Sequence, residues 1–260
     1  MPSVSRAAVM TVGRDGVGEA VARLEALAAA HGVELVGDDA EADVAIVLGG
    51  DGTMLRALRR YLGTGIPAIG VNYGRVGFLT SMRGDELEQG LARVFAGDYR
   101  TVALSTLTVR AGGRTEVAVN DVVVAGERLG RMVELGYAIG DEELGSQPCD
   151  GLICASPTGS TAYNLSNNGP VLVWGIDALV LTFVAPHALY VRPLVVPRGP
   201  DVIVTNLTPD GAASVLVDGQ EVGTLDPGDR ASIGIGEQQA LLATLPEATF
   251  FTRYAATFGG

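Results

Sequence analysis

A short apolar run that leads straight into a glycine-rich turn is the feature that most constrains the fold of this chain. Residues Val44–Leu48 are apolar throughout, as strands are when a parallel sheet is covered on both faces. A Gly-Gly-Asp-Gly-Thr turn follows at 49–53, and a helical pattern continues over 54–61. In open α/β sheets, ligands bind at turns that follow the carboxyl ends of strands. The segment therefore predicts a strand, a ligand-binding turn and a helix.

The rest of the first 99 residues alternates between strand and helix patterns. Apolar runs at 7–12, 33–36 and 67–71 predict strands, and helical spacing predicts helices over 17–28 and 87–94. This alternation is typical of a Rossmann-like open sheet.

The pattern changes near residue 100, where short β-rich segments separated by turn signals begin. These segments lie at 102–109, 116–119, 133–139, 179–184, 202–205, 215–217 and 231–235. We therefore expect an α/β protein with a Rossmann-like domain over 1–99 and a β-sandwich-like domain over 100–244. The aromatic-rich tail 245–260 is expected to pack back on the first domain.

Composition narrows the class of protein. Hydrophobic residues make up 47% of the 260 residues and charged residues 18%, so long disordered tracts are not expected. No apolar run approaches the ~20 residues of a membrane-spanning helix, and the N-terminus lacks the apolar core of a secretory signal. We expect a cytoplasmic protein that does not interact with membranes.

The net charge of −12 argues against sequence-independent nucleic-acid binding, which depends on basic surface. It is compatible with a phosphorylated small-molecule ligand, because a divalent metal and backbone amides supply local positive potential. The two cysteines, Cys149 and Cys154, imply no disulfide framework, and without nearby His or further Cys they do not predict a zinc site.

A carboxylate among the glycines of the turn is chemically informative. Small residues allow the backbone to approach phosphate oxygens, but Asp51 itself would repel a polyphosphate. Its presence makes sense if it faces a hydroxyl that must lose a proton, or if it helps to hold Mg²⁺. The structural alternative is that Asp51 caps the helix through Thr53. The turn lacks the Lys of a Walker loop, and the glycines of 13–18 do not follow the dinucleotide fingerprint, so 13–18 is interpreted as a strand-to-helix turn.

A second dense motif spans 150–166. A strand over 152–155 runs into Pro157, a hydroxyl-rich turn and a short helix. Ser160 or Thr161 at the helix start offers hydroxyls and backbone amides to a ligand, and Tyr163 adds an aromatic face. The alternative is an ordinary helix that these hydroxyls cap.

Together the two motifs resemble the NAD kinases, and the likeness covers nearly the whole chain. The Gly-Gly-Asp-Gly-Thr turn alone is shared with 6-phosphofructokinases and diacylglycerol-type lipid kinases. The 150–166 stretch is far more specific, as is its spacing from Asn120-Asp121 and from the motif at 72–79. The tail motif Asp218-Gly219-Gln220 also falls where the family has a ligand-touching turn.

The resemblance implies a phosphotransferase that uses ATP or polyphosphate to phosphorylate the 2′-hydroxyl of the adenosine ribose of NAD. Asp51 would contact that hydroxyl, Gly52 would lie beside the diphosphate, and Arg56 would face the phosphate donor. Asp150 would reach a nucleotide bound largely by a neighbouring subunit, which implies a homodimer or homotetramer. The other residues implied to contact NAD are Phe78, Asn120, Asp121, Thr161, Ala162, Tyr163, Ser166, Ala185 and Gln220.

Two positions depart from the family pattern. Asp121 stands where Glu is usual, which shortens the side chain by one methylene. Asn167-Asn168 replaces a small Ala-Gly pair after Ser166. Asn tolerates left-handed backbone geometry, so we expect the turn to be kept.

Asp51 is not expected to act as a strong base. An aspartate is ionised at neutral pH and is a weak base, so it is expected to orient the hydroxyl and accept its proton late. Mg²⁺ is expected to arrive with the phosphate donor and to bridge donor oxygens; no protein ligand for a metal is predicted. A lipid or sugar kinase that shares the turn, and a non-catalytic nucleotide-binding regulator, remain as alternatives.

Overall fold

The computed structural model describes residues 1–11, 17–74, 77–127, 132–188 and 190–259. Two compact units are found, which are described separately: unit 1 comprises residues 1–103 and 240–260, and unit 2 comprises 104–239. The interpretation of 13–18 as a strand-to-helix turn falls mostly outside the described residues.

Unit 1 is built on a parallel sheet. Strands β1 (Arg6–Thr11), β2 (Glu34–Val36), β3 (Val44–Leu48) and β4 (Ala68–Asn72) lie in the order β2-β1-β3-β4. Two further parallel pairings involve β4. The short strand β5 (Met82–Arg83) pairs at Val71, and Leu242 pairs with Ala68.

The helices of unit 1 are α1 (Val17–His31), α2 (Asp51–Arg60), α3 (Leu87–Phe95) and α5 (Phe250–Phe258). All five residues of β3 and of β4 are buried, as expected for covered parallel strands. Gly70 allows α2 to approach, because a Cβ atom there would lie 2.6 Å from Sδ of Met54. The predicted Rossmann-like unit is confirmed.

Unit 2 is a sandwich of two sheets. One is antiparallel, in the order β13-β12-β11-β8-β15-β16. Its strands are β8 (Asp121–Gly126), β11 (Gly151–Ala155), β12 (Ala178–Val184), β13 (Leu194–Pro197), β15 (Ala213–Val217) and β16 (Gln220–Leu225). A short helix, α4 (Tyr163–Ser166), follows β11.

The second sheet of unit 2 faces the first. Its strands are β6 (Arg100–Ala111), β7 (Arg114–Ala118), β9 (Val133–Ile139), β10 (Glu142–Cys149), β14 (Val202–Asn206) and β17 (Arg230–Thr244), of which 100–103 and 240–244 belong to unit 1. One hydrophobic core joins the two sheets: Leu152, Leu181 and Val215 from the first lie with Leu107, Leu135 and Val204 from the second. The predicted β-sandwich is therefore confirmed.

Several boundaries differ from the sequence prediction. Helix α2 begins at Asp51 and not at Met54, because Gly50 occupies the N-cap position. Strand β8 was not predicted although it is rich in Val. Strand β10 was not predicted because it is mostly exposed and contains Gly145 and Pro148. Among the described residues, no helix has the length and apolar character needed to span a bilayer.

Candidate active site

Asp51 lies in the first turn of α2, directly after β3. Its Oδ2 atom accepts a 2.6 Å hydrogen bond from the backbone amide of Phe78, and its Oδ1 atom accepts a 3.0 Å bond from the amide of Leu79. The helix has no side-chain N-cap, so the capping alternative for Asp51 is wrong. The carboxylate instead joins the glycine-rich turn to the loop that follows β4.

Gly77 makes this contact possible. A Cβ atom at residue 77 would lie 2.0 Å from Oδ1 of Asp51, far inside van der Waals contact. The loop is further shaped at its start, where Oδ1 of Asn72 accepts a 2.8 Å hydrogen bond from the amide of Gly74. In the motif at 72–79, Asn72 therefore shapes the loop and Gly77 leaves room for the carboxylate of Asp51.

The guanidinium of Arg253, on α5, donates hydrogen bonds to backbone carbonyl groups of the same loop. One terminal nitrogen donates to the carbonyl oxygens of Phe78, at 3.0 Å, and Thr80. The other donates to Oγ of Ser81 at 3.0 Å. Arg253 is 7% exposed. Its burial lowers the pKa of the guanidinium to about 10, and the negative charge of Asp51 acts in the opposite direction.

The other predicted residues of unit 1 differ in exposure. Gly52 and Arg56 are exposed on α2 and are one helical turn apart. The ring of Phe78 is buried and packs edge-on against Phe250, with 5.2 Å between ring centroids, and near Phe258 at 6.3 Å. In unit 1 the main chain of Phe78 therefore contacts Asp51, while its ring packs on α5.

In unit 2, the carboxylate of Asp218 organises the segment that carries Asn120 and Asp121. It accepts hydrogen bonds from the backbone amides of Val119, Asn120 and Asp121, at 2.9, 2.7 and 3.2 Å. The amide of Asp218 donates in return to the carbonyl of Asp121 at 2.9 Å. This geometry places Asp218 in the left-handed region, with φ 49°.

The side chain of Asp121 is 6% exposed. Burial raises its pKa to about 7, and the nearby charge of Asp218 adds to the increase. Asn120 contributes a second unusual group: its Oδ1 atom is buried without a hydrogen-bond partner among the described residues. A buried acceptor without a protein partner is satisfied by an ordered water, an ion or a ligand.

The hydroxyl-rich turn packs directly on this segment. Ser156 donates its backbone amide to the carbonyl of Asn120 at 2.8 Å and its hydroxyl to the carbonyl of Val119 at 2.6 Å. Gly159 is needed because a Cβ atom there would lie 2.0 Å from the backbone carbonyl oxygen of Asn120. Oγ1 of Thr158 is also buried without a partner among the described residues.

Hydroxyl groups do not cap the helix that follows. The N-cap of α4 is Ala162, without a side-chain hydrogen bond. Thr161 donates its hydroxyl to the carbonyl of Thr158 at 3.1 Å, and Ser160 donates to Pro157 at 2.7 Å. The capping alternative is therefore wrong for this motif as well. Tyr163 is 45% exposed.

Asn164 anchors α4 to the sheet. It is fully buried, donates to the carbonyls of Ser160 and Pro170, and accepts a 2.7 Å hydrogen bond from the hydroxyl of Thr182. The chain then turns at Asn168, with φ 61°. The expectation that Asn would keep the left-handed turn is confirmed.

Pairing in the first sheet of unit 2 divides the predicted residues into two groups. Ala155 of β11 pairs with Asp121, whereas Gly151 pairs with Ala125 and Val184. Asp150 precedes Gly151 and Ala185 follows Val184. Both therefore lie at the opposite end of the sheet from Asp121, roughly 14 Å away along β11. Ala185 has φ 44°, a left-handed conformation. The residues at the Asp121 end are Asn120, Asp121, Thr161, Ala162, Tyr163, Ser166 and Gln220.

Family models match both parts of the chain. The ATP-NAD kinase N-terminal domain model matches residues 7–99, and the ATP-NAD kinase C-terminal domain model matches residues 119–245. The chain belongs to the NAD kinase family.

Individual members of the family agree with this assignment. The chain is 41% identical to an NAD kinase of Gemmatimonas aurantiaca over 234 residues, which cover 87% of this chain and 80% of that protein. It is 42% identical to an NAD kinase of Heliobacterium modesticaldum over 214 residues, covering 80% and 76%.

Solved structures of the family share the fold. The crystal structure of an NAD kinase from Archaeoglobus fulgidus in complex with ATP superposes with a TM-score of 0.79 at 26% identity, covering 98% of this chain and 97% of that one. Yeast NADH kinase complexed with NADH gives a TM-score of 0.83 at 19% identity, covering 99% and 88%; this second likeness concerns the fold.

The sequence did not indicate Arg253, and it placed Asp218 in a ligand-touching turn without a role for its carboxylate. Both act on segments far away in the chain: Arg253 binds Phe78 across 175 positions, and Asp218 binds Asn120 across 98. A weak signal was present for Asp218, because Asp-Gly pairs mark turns. A single Arg in an aromatic helix carries no comparable signal.

Proposed function

We propose that this NAD kinase family member transfers the terminal phosphoryl group of ATP or polyphosphate to the 2′-hydroxyl of the adenosine ribose of NAD, which gives NADP. The observation that carries the proposal is the geometry of Asp51. Each of its carboxylate oxygens accepts one backbone amide, from Phe78 or Leu79. Each oxygen therefore keeps a further acceptor site for a substrate hydroxyl.

In this mechanism Asp51 orients the attacking hydroxyl. Hydrogen bonding to Asp51 holds the 2′-oxygen towards the terminal phosphorus, and the phosphoryl group moves to it as the bond to the donor breaks. The proton passes to the carboxylate late, when the loose transition state has made the hydroxyl acidic. Such positioning accounts for much of the catalysis in phosphoryl transfer.

The amides of the glycine-rich turn and the side chain of Arg56 are proposed to receive the donor phosphates. Arg56 and Gly52 are exposed on the same side of α2, close to its N-terminal end, where free amides favour anions. Mg²⁺ is proposed to enter on the donor, since Mg²⁺ in nucleotide sites is bound largely by phosphate oxygens and water. Bound there, it neutralises charge on the donor phosphates.

Unit 2 is proposed to hold the NAD. Asn120 and Asp121 would hydrogen-bond ribose hydroxyls, which is supported by the buried Oδ1 atom of Asn120 that has no partner among the described residues. The adenine and ribose would lie against Thr161, Ala162 and Ser166, and Tyr163 would flank the dinucleotide. The ring of Phe78 packs on α5, so Phe78 would contribute through the backbone of its loop. Gln220 would add a contact from the turn after Asp218.

A homodimer or homotetramer is proposed from the remaining two residues. Asp150 and Ala185 are exposed and lie at the opposite end of β11 from Asp121, where they are open to a second subunit. A nucleotide bound by a neighbouring subunit would meet them. A cytoplasmic location is proposed because NAD and ATP are intracellular substrates.

The test is a substrate panel with the purified protein. NADP formed from NAD is measured with an NADP-specific dehydrogenase, with Mg²⁺ and either ATP or polyphosphate as donor. Diacylglycerol and fructose 6-phosphate serve as competing acceptors, with product measured directly. The proposal expects NADP from at least one donor, and faster phosphorylation of either competing acceptor than of NAD would overturn it.

A further inference from the structure

The C-terminal helix α5 places a buried arginine beside the loop that holds Asp51. Arg253 is the fourth residue of α5 and is almost fully buried. Burying a guanidinium is costly unless its donors are satisfied. The contacts of this side chain therefore indicate what it does.

Each of the five N–H donors of Arg253 has an acceptor. Nε donates to the carbonyl of Ala248 at 3.3 Å, one terminal nitrogen donates to the carbonyls of Phe78 and Thr80, and the other donates to the hydroxyls of Ser81 and Thr244, at 3.0 and 2.9 Å. Three of these five acceptors belong to the segment 78–81. Arginine offers this number of donors in a fixed planar arrangement, and lysine does not.

The same segment supplies the two amides that hold Asp51. Phe78 donates its amide to Asp51 and accepts from Arg253 through its carbonyl. Leu79, which donates the second amide, lies between the two carbonyls that Arg253 binds. The carbonyl of Phe78 and the amide of Leu79 belong to one rigid peptide unit, so fixing that carbonyl also fixes the amide that Leu79 donates to Asp51.

We propose that Arg253 is a positioning residue of the phosphoryl-transfer reaction, which acts through the 78–81 segment to hold the carboxylate of Asp51 in its reactive orientation. The inference rests on the proposed role of Asp51. It makes the C-terminal helix a functional part of unit 1, although α5 follows the glycine-rich turn by about two hundred residues. Small displacements of a catalytic group have large effects on rate.

The primary test compares Arg253→Lys with the wild type in steady-state kinetics. Lysine keeps the charge but binds fewer of the five acceptors, so kcat is expected to fall by about tenfold or more. The KM for NAD is expected to change by less than about threefold, since the proposed adenosine contacts are in unit 2. A second variant, Ser81→Ala, removes one acceptor without changing the arginine, and is expected to lower kcat in the same direction by a smaller factor.

Thr249→Ala is the matched control for simple loss of stability in α5. Thr249 caps this helix, since its side chain accepts a hydrogen bond from the amide of Thr252. Among the described residues, it makes no hydrogen bond to 78–81. The variant should lower the melting temperature, as loss of a cap does, and keep kcat within about twofold. Equal losses of kcat in Thr249→Ala and Arg253→Lys would assign the effect to stability and overturn the inference.

A double-mutant cycle with Asp51→Asn separates action through Asp51 from any other effect. If Arg253 works by orienting the carboxylate, Arg253→Lys lowers kcat much less when residue 51 is already Asn. An equal fold-change in kcat in both backgrounds would overturn the inference. Absence of NADP formation by the wild type, or near-wild-type kcat in Asp51→Asn, would instead overturn the proposed function.

Discussion

The Oδ1 atom of Asp218 accepts a 2.7 Å hydrogen bond from the backbone amide of Asn120, and the amides of Val119 and Asp121 bind the same carboxylate. In unit 1, Asp51 holds the amides of Phe78 and Leu79 in a comparable way. In both units an Asp that precedes a Gly thus binds consecutive amides of a distant segment. Charge-assisted bonds of this kind are stronger than neutral ones.

Replacing Asp218 with Asn tests its part in shaping the NAD-binding segment. Asn tolerates the left-handed backbone at this position, but it has one acceptor oxygen in place of two and lacks the charge. We expect the KM for NAD to rise by roughly tenfold, with a smaller change in kcat. Asp229→Asn is the control, because the Oδ2 atom of Asp229 accepts a hydrogen bond from the amide of Asp226 within a separate turn. Equal effects of the two substitutions on KM would contradict the prediction.

The raised pKa of Asp121, about 7, predicts a specific dependence of stability on pH. In the unfolded chain this carboxyl ionises near 3.8, so between these values the folded state binds more protons than the unfolded state. The free energy of unfolding that Asp121 contributes therefore falls as pH rises from about 4 to 7, by on the order of 4 kcal/mol.

Asp121→Asn isolates this contribution. Asn remains neutral throughout, so the variant should gain stability relative to the wild type as pH increases from 5 to 8. Urea denaturation at the two pH values measures the difference. A stability difference between variant and wild type that does not change with pH would show that Asp121 is not neutral when buried.

Gly77→Ala tests the close approach of Asp51 to its loop. The new Cβ atom would lie 2.0 Å from Oδ1 of Asp51, so the carboxylate or the loop must move. We expect kcat to fall by at least about tenfold. Gly223→Ala is the matched control, since a Cβ atom there has nothing within 4 Å. Unchanged kcat in Gly77→Ala would mean that the contact does not orient Asp51 during the reaction.

The two cysteines should be chemically inert in the folded protein. Both are buried, and burial raises the pKa of Cys149 to about 12 and the pKa of Cys154 further still. Because the thiolate is the reactive form, neither should react with an aromatic disulfide reagent until the protein unfolds. Spectrophotometric titration of thiols before and after addition of urea measures this. Rapid reaction of either thiol without urea would be inconsistent with the packing described.

Much of the architecture follows from local sequence patterns. The strand Val44–Leu48 was predicted with its observed bounds, because a buried parallel strand must be apolar at every position. The β-sandwich followed from short strands and turn signals. Strand β10 was missed because exposed residues with Gly and Pro do not produce an alternating pattern.

The candidate site was predicted in its residues but less well in its contacts. The Gly-Gly-Asp-Gly-Thr turn indicated Asp51, yet no sequence pattern pairs Asp51 with the amides of Phe78 and Leu79. Nor does any pattern indicate that Arg253 binds the other side of that loop. These contacts join segments that are adjacent only after folding, so neither periodicity nor motif spacing reports them.

The role of Asp51 is tested most directly by comparing NADP formation by Asp51→Asn and the wild type, with NAD, Mg²⁺ and the better of the two donors. Binding of NAD to each is measured in parallel by calorimetry. We expect Asp51→Asn to bind NAD with an affinity within about threefold of wild type and to turn over more slowly by roughly 10²-fold or more. Turnover near the wild-type value in Asp51→Asn would contradict this role.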